Sequence, residues 1–181
     1  MKGFLESFLA DEYFKRSEDA LEYAEENFSH ILIDLDGVLI DVDGKHSPPV
    51  LDGNVRKDVF AKFNKLKQQK KVCILTNRTR YRSFDKKGLE EFFGVELVAI
   101  KGLRKPSKQL FREGLKKLDS NPEETVMIGD SPYTDIYGAN RIGINTLQVY
   151  QDRREYEFPE KYLKTIEDLT QKLIRRIINA D

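Results

Sequence analysis

Short apolar runs alternate with longer amphipathic stretches along this chain, and this alternation constrains the fold more than any other feature. Runs rich in Ile, Val and Leu predict five strands, at 30–35, 72–75, 95–100, 125–128 and 144–150. The stretches between them predict helices at 54–71, 83–93, 107–118 and 135–141. Strands that alternate with helices form a parallel sheet covered on both faces. The sequence therefore predicts an α/β protein with a Rossmann-like, five-stranded parallel sheet.

Length and composition limit the classes of protein that need consideration. The 181 residues predict one domain, with a helical segment at 1–29, a core at 30–150 and a second helical segment at 151–181. Acidic and basic residues balance at 31 each, which does not favour a nucleic-acid partner. The single cysteine, Cys73, excludes an intrachain disulfide. No apolar run approaches the roughly 20 residues that span a bilayer, so we expect a cytoplasmic protein without a transmembrane segment.

Polar residues follow the predicted strands at the points where the strands end. In parallel α/β sheets, ligands bind beyond the carboxyl ends of the strands, so these residues are candidates for one site. They are Asp34 and Asp36 after the first strand, Thr76, Asn77 and Arg78 after the second, Arg104 and Lys105 after the third, and Gly129, Asp130 and Ser131 after the fourth, with Asp135 five residues beyond Asp130.

The pattern Asp-x-Asp-Gly occurs twice, and only the first copy follows an unbroken apolar strand. Asp34 and Asp36 leave the strand directly, whereas Asp41 and Asp43 precede a glycine and a proline pair. We therefore interpret Asp41 and Asp43 as turn residues on an exposed hairpin. Neither copy matches a calcium loop, because the fifth position is Val38 in one and Lys45 in the other.

The first pair points to metal-assisted phosphate chemistry. Asp34, Asp36 and Asp130 close together would repel one another without a cation, and oxygen ligands without His or Cys suit Mg²⁺. A carboxylate beside that metal can attack phosphorus, and a second carboxylate can act as general acid and base. A hydroxyl and a lysine can hold the phosphoryl oxygens.

These residues together resemble the haloacid dehalogenase (HAD) superfamily of phosphatases over residues 30–150. The matching stretches are "DLDGVL", "LTN", "RKP" and "GDSPYTD". The resemblance implies Asp34 as nucleophile, Asp36 as general acid and base, and Thr76 and Lys105 as phosphate-binding residues. It also implies Mg²⁺ held by Asp34, Asp36 and Asp130, with Gly129 and Asp135 in supporting positions.

The chain is further similar to the YqeG-like branch, subfamily IIIA, which includes phosphatidylglycerophosphate phosphatases. This likeness rests on "GDSPYTDIYGANRIGINTLQV", on "KP" at the third predicted helix and on the lead-in "FLADEYFKRSEDAL". Gly37 and Val38 depart from the Asn-Thr that this branch usually carries. Several HAD enzymes insert a cap domain between their motifs, and the spacing here leaves room for none.

Basic residues near the predicted site favour an anionic substrate. The candidates for substrate binding are Asn77, Arg78, Arg80 and Ser131, with Arg82, Lys101 and Arg104 nearby. We expect a lipid phosphate at an anionic membrane surface, reached by a peripheral cytoplasmic enzyme. Two alternatives stay open, a phosphatase for a soluble phosphomonoester and a binding module without turnover. The amphipathic ends of the chain either pack on the sheet or contact a membrane.

Overall fold

The computed structural model describes residues 6–41, 55–80 and 84–149, and they form an α/β fold around one parallel sheet. The strands are β1 (Glu12–Phe14), β2 (His30–Ile33), β3 (Lys71–Leu75), β4 (Glu96–Val98), β5 (Thr125–Gly129) and β6 (Asn145–Val149). The α-helices are α1 (Ser17–Asn27), α2 (Lys57–Gln69), α3 (Lys86–Phe93), α4 (Lys108–Leu118) and the short α5 (Gly138–Asn140). A π-helix, Pro132–Tyr137, leads directly into α5.

The sheet has the strand order β1-β6-β5-β2-β3-β4, and every pair of neighbours is parallel. The central strand β2 pairs with β3 on one side and with β5 on the other, so that His30 lies opposite both Lys71 and Thr125. Its apolar residues are fully buried, as expected for a strand covered on both faces.

Alternate residues of the central strands supply two apolar layers. Ile31 and Ile33 pack with α1, α2 and α3 on one face, whereas Leu32 packs with α4 and α5 on the other. The helices contribute residues spaced by one turn. Val59, Phe63 and Leu66 are the buried side chains of α2, for example. The predicted parallel sheet with helices on both faces is therefore confirmed.

The predicted number of strands is wrong, because the sheet has six strands rather than five. The additional strand, β1, lies in the segment 1–29 that we expected to be helical, where α1 is the α-helix among the described residues. A three-residue strand is too short for a periodic pattern, and tertiary hydrogen bonds to β6 hold it at the edge of the sheet. The segments 1–5 and 151–181 lie outside the described residues.

The elements between the predicted motifs determine whether the strand ends are covered. Among the described residues, α2 lies between Asp36 and Thr76, and α3 and β4 lie between Asn77 and Lys105. These elements belong to the α/β layers, and no cap domain occurs in the described ranges.

The same ranges contain no helix that is long and apolar enough to cross a bilayer.

Candidate active site

The carboxyl ends of three adjacent strands bring the predicted residues to one edge of the sheet. Asp34 follows β2, Thr76 follows β3 and Asp130 follows β5. Backbone hydrogen bonds continue past the strands, since Asp34 N donates to Ile128 O at 2.9 Å and Thr76 N donates to Val98 O at 3.2 Å. All three side chains are buried, so the edge of the sheet orients them before any ligand binds.

Three buried carboxylates meet at this edge. Carboxylate oxygens of Asp34, Asp130 and Asp135 all lie within 4.8 Å of one another. The Lys105 ammonium lies between two of them, 2.7 Å from Asp34 Oδ1 and 2.6 Å from Asp135 Oδ1. One ammonium does not balance three carboxylates in a site removed from water. The excess negative charge and the all-oxygen donor set fit Mg²⁺.

The close packing of these charges shifts the pKa of two groups. Burial and the neighbouring Asp135 raise the pKa of Asp34 well above its usual range, against the opposing effect of Lys105. Burial by itself lowers the pKa of Lys105, but the Asp135 and Asp34 carboxylates outweigh it and raise that pKa overall. Lys105 is therefore a cation at any physiological pH, whereas the ionised form of Asp34 is disfavoured.

The turn after β5 places Asp135 beside the other carboxylates. Ser131 N donates to Asp135 Oδ2 at 3.0 Å, while Ser131 Oγ accepts a hydrogen bond from Thr134 N at 3.2 Å. A Cβ at Gly129 would lie 2.3 Å from the Asp135 Cβ, so a residue with a side chain does not fit there. The Ser131 hydroxyl, a candidate for substrate binding, thus caps the π-helix that carries Asp135.

Asn77 connects the end of β3 to the lysine loop. Its Oδ1 accepts a hydrogen bond from Lys105 N at 2.8 Å, and its Nδ2 donates to Lys105 O at 3.4 Å. Next to it, Arg78 N donates to Thr76 Oγ1 at 3.3 Å. The segment 76–78 therefore positions Lys105 and Thr76 relative to each other.

The sequence motifs placed Asp36 beside Asp34 and Asp130, whereas the structure pairs it with Arg78. Its carboxylate lies against the guanidinium of Arg78, whose Nε is 3.0 Å from Oδ1 and 2.9 Å from Oδ2. Asp135, expected only to support the site, is the third member of the carboxylate cluster. The spacing of five residues after Asp130, about one turn of a wide helix, is the signal that placed Asp135 nearby. The assignment of Asp36 to the metal stays a prediction.

The loop after Asp36 separates the two Asp-x-Asp pairs. Gly37 adopts a φ of 85°, and its N donates to Ile40 O at 2.8 Å, which closes a tight turn. Ile40 then forms an antiparallel bridge with Val55. Asp41 is exposed at the end of this turn, while Asp43 and the remainder of the predicted hairpin lie outside the described residues.

The basic residues of the rim are only partly described. Lys101 and Arg104 are exposed on the loop after β4, whereas Arg78 is buried. The backbone of Arg80 belongs to the short 3₁₀ helix Arg78–Arg80. The side chain of Arg80 and the whole of Arg82 lie outside the described part of the chain.

Comparisons with known proteins agree with this geometry. A model of the HAD-hydrolase-like family matches residues 102–169. The chain is 28% identical over 178 residues to the probable phosphatase YqeG of Bacillus subtilis, and this match covers 96% of the chain and 91% of the relative. It is 38% identical over 60 residues to a glyceraldehyde 3-phosphate phosphatase of Pyrococcus furiosus, a match that spans 33% of the chain and only 25% of that relative.

Solved structures show the same fold. An uncharacterised protein from Listeria monocytogenes matches with a TM-score of 0.54 at 25% identity, over 79% of this chain and 99% of the other. A HAD-like family hydrolase from Porphyromonas gingivalis matches with a TM-score of 0.52 at 18% identity, over 80% of this chain and 98% of the other. The second likeness supports the architecture alone.

Proposed function

On the strength of these likenesses to the HAD-like phosphatase superfamily, we propose that this chain is a Mg²⁺-dependent phosphatase with an aspartyl-phosphate intermediate. The observation that carries the proposal is the buried cluster of Asp34, Asp130 and Asp135 with Lys105 between two of its members. A structural role alone does not require three buried carboxylates at the one edge of the sheet where such folds bind ligands.

The proposed reaction has two steps. A carboxylate oxygen of Asp34 attacks phosphorus, the bond from phosphorus to the ester oxygen breaks, and Asp36 gives a proton to the leaving oxygen. Water then attacks the phosphoryl-Asp34, Asp36 takes the proton of that water, and the bond between Asp34 and phosphorus breaks. Inorganic phosphate leaves, and both aspartates return to their initial states.

The other site residues bind and orient the phosphoryl group. Asp34, Asp36 and Asp130 are the proposed Mg²⁺ ligands, with Asp135 close enough to contribute, and the metal supplies positive charge that offsets the carboxylates and the phosphate. Lys105 and the Thr76 hydroxyl are the proposed partners of the phosphoryl oxygens. Asn77 and Ser131 support them through Lys105 and Asp135.

The test is release of phosphate from p-nitrophenyl phosphate. We expect turnover with Mg²⁺ and none after chelation. Asp34→Asn should abolish turnover because an amide is not a competent nucleophile. The matched control is Asp41→Asn at the exposed aspartate of the second pair, which should stay close to wild type. Full activity in chelator would refute the metal, and full activity of Asp34→Asn would refute the intermediate.

For the substrate, the leading proposal is a phosphatidylglycerophosphate-like lipid, with the enzyme at the cytoplasmic side of an anionic membrane. The exposed Lys101 and Arg104 and the absence of a cap domain from the described residues support it. A soluble phosphomonoester is the second candidate, supported by the local similarity to a glyceraldehyde 3-phosphate phosphatase. The complete set of acidic residues and Lys105 argues against a non-catalytic binding module.

The two substrate candidates differ in their dependence on surface charge. Lys101→Glu with Arg104→Glu should lower activity on anionic vesicles much more than activity on p-nitrophenyl phosphate, because each basic residue near such a surface contributes about 1 kcal/mol. High salt should weaken the vesicle activity of the wild type in the same way. Equal effects on both substrates would return the soluble phosphomonoester to first place.

A further inference from the structure

The ion pair between Arg78 and Asp36 is a feature of the site that the proposed reaction does not require. Arg78 Nε contacts both Asp36 oxygens, at 3.0 and 2.9 Å, and Nη2 donates to Oδ1 as well. The side chains of Arg78 and Asp36 are 8% and 24% exposed. The guanidinium therefore occupies both oxygens of the proposed general acid and base.

Arg78 also differs from Lys105 in its contacts with the carboxylate cluster of Asp34, Asp130 and Asp135. Among the residues that the structure describes, Arg78 and Lys105 are the buried cations. Lys105 already contacts Asp34 and Asp135, both of which belong to the cluster. Within the described ranges, the Arg78 guanidinium contacts Asp36, which lies outside the cluster.

This pairing conflicts with the work proposed for Asp36. To transfer a proton to or from a substrate oxygen, an Asp36 oxygen must lie within hydrogen-bond distance of it. Asp36 is also a proposed Mg²⁺ ligand, and both roles engage a carboxylate oxygen that Arg78 already contacts, so they weaken the ion pair together. A guanidinium that is buried and loses its carboxylate is strongly unfavourable unless another anion replaces it. A substrate that supplies that anion would remove this cost.

The position of Arg78 indicates where such an anion would lie. In the proposed reaction Asp36 faces the leaving oxygen, so the guanidinium beside it lies on the leaving-group side of the phosphoryl group. Lys105 and Thr76 face the phosphoryl oxygens instead. A bidentate guanidinium matches the geometry of a carboxylate or a phosphate, and this makes it a selective partner for a second anionic group.

We propose that Arg78 exchanges Asp36 for a second anionic group on the leaving group of the substrate, and that it thereby selects phosphomonoesters whose leaving group carries such a charge near the ester oxygen. This inference rests on the role proposed for Asp36 in the phosphatase reaction. The anion is a phosphate or a carboxylate, and either a soluble metabolite or a lipid headgroup can present it.

The first test compares two substrates that differ in the second charge. Glycerol 1,3-bisphosphate and glycerol 3-phosphate share the leaving-group skeleton, and kcat/KM for the bisphosphate should be about tenfold to a hundredfold higher in the wild type, the value of one charge-assisted contact. Arg78→Met keeps the length of the side chain without its charge and should bring this ratio close to one. The matched control, Arg112→Met, removes an exposed arginine of α4 and should keep the wild-type ratio.

Two results would overturn the inference. A wild-type ratio near one would show that the second charge is not recognised. A ratio that stays high in Arg78→Met would show that another residue recognises the second charge. If both substrates then lose activity equally, the role of Arg78 is limited to positioning Asp36. If Arg78→Met does not fold, Arg78→Lys serves instead, and its single ammonium should give an intermediate ratio.

Two further measurements complete the experiment, one of activity on lipid substrates and one of binding alone. In uncharged phosphatidylcholine vesicles, phosphatidylglycerophosphate carries the second charge and phosphatidic acid does not, so a preference that is larger here than between the two glycerol phosphates identifies the lipid source. Calorimetric Kd values for the two glycerol phosphates require no turnover. Absence of Mg²⁺-dependent turnover would therefore refute the proposed function, while equal Kd values for the wild type would separately refute the role of Arg78.

Discussion

Gly129 lies where β5 meets the π-helix, and Asp135 occupies the space beside its Cα. A Cβ at this position would lie 2.3 Å from the Asp135 Cβ and 2.5 Å from its Cγ. Asp135 itself is fully buried and contacts Lys105, so it has no room to retreat without breaking that ion pair. One residue without a side chain thus sets the position of a carboxylate in the catalytic cluster.

Gly129→Ala should consequently lower activity and stability together. Overpacking of this kind costs about 1–3 kcal/mol, and the displacement of Asp135 would misplace Lys105. The control is Gly94→Ala, since Gly94 has a φ of 65° at the end of α3, and alanine is strained there but lies away from the cluster. We expect both variants to unfold at lower urea concentration and only Gly129→Ala to lose kcat. Normal kcat in Gly129→Ala would contradict the role of this close contact.

At the scale of elements, β1 depends on side chains that lie far away in the sequence. Asn140 Nδ2 donates to Ser7 O and to Leu9 O, both at 2.9 Å, and it is buried in α5. The Asp11 carboxylate accepts hydrogen bonds from Thr146 N and from the Thr146 hydroxyl, at 2.8 and 3.1 Å. The segment that leads into β1 is therefore fixed to the end of the π-helix and α5 unit and to the start of β6.

Asn140→Leu should release β1 without disturbing the centre of the sheet. It removes the hydrogen bonds that Asn140 donates to the carbonyls of Ser7 and Leu9, and the loss of each such hydrogen bond costs about 0.5–1.5 kcal/mol. Hydrogen exchange should accelerate at the amides of β1 and stay slow in β2. The control is Asn27→Ala, which removes an exposed side chain of α1. Unchanged exchange in β1 would show that strand pairing alone holds it.

These contacts explain which elements the sequence could predict. Apolar runs predict the inner strands β2, β3 and β5, whose burial follows from their composition, and β6 is recognised from Ile144, Leu147 and Val149 although it also buries Thr146 and Gln148. The segment that leads into the three-residue strand β1 is held by Asn140 and Thr146, which lie 131 to 135 residues from their partners along the chain, and no local pattern encodes such a partner. The helix predicted at 135–141 ends close to the observed end of α5, but it begins as a π-helix at Pro132, three residues before the predicted start.

The residues of the candidate site likewise include some that the sequence could place together and others that it could not. Asp34, Thr76 and Asp130 could be brought together in advance, because the carboxyl ends of parallel strands meet at one edge. The pairing of Arg78 with Asp36 could not, since it depends on the direction in which the chain turns after Thr76. Side-chain direction at a loop is a tertiary property, whereas the positions of the strands along the chain and their burial follow from local sequence.

At the scale of the whole molecule, the raised pKa of the buried Asp34 makes the stability of the metal-free protein depend on pH. The pKa of Asp34 is raised in the folded protein, so its contribution to the free energy of unfolding is present below its ordinary pKa and is lost as the pH rises through the folded pKa. Lys105 has a raised pKa as well, but its contribution is lost only at strongly alkaline pH. Between acidic and neutral pH, Asp34 therefore makes the metal-free protein less stable.

If Mg²⁺ binds as proposed, it should reverse this loss, because it would bind the ionised carboxylates of the folded state. In chelator, the free energy of unfolding from urea titrations should fall between acidic and neutral pH more steeply for the wild type than for Asp34→Asn, whose amide does not titrate. At neutral pH, Mg²⁺ at about 100 times its Kd should stabilise the wild type by about 2.7 kcal/mol. Asp34→Asn should gain less from the metal, and Asp41→Asn should follow the wild type throughout. Identical pH dependence of the wild type and Asp34→Asn in chelator would show that Asp34 makes no such contribution, and an equal response of both to Mg²⁺ would place the metal away from Asp34.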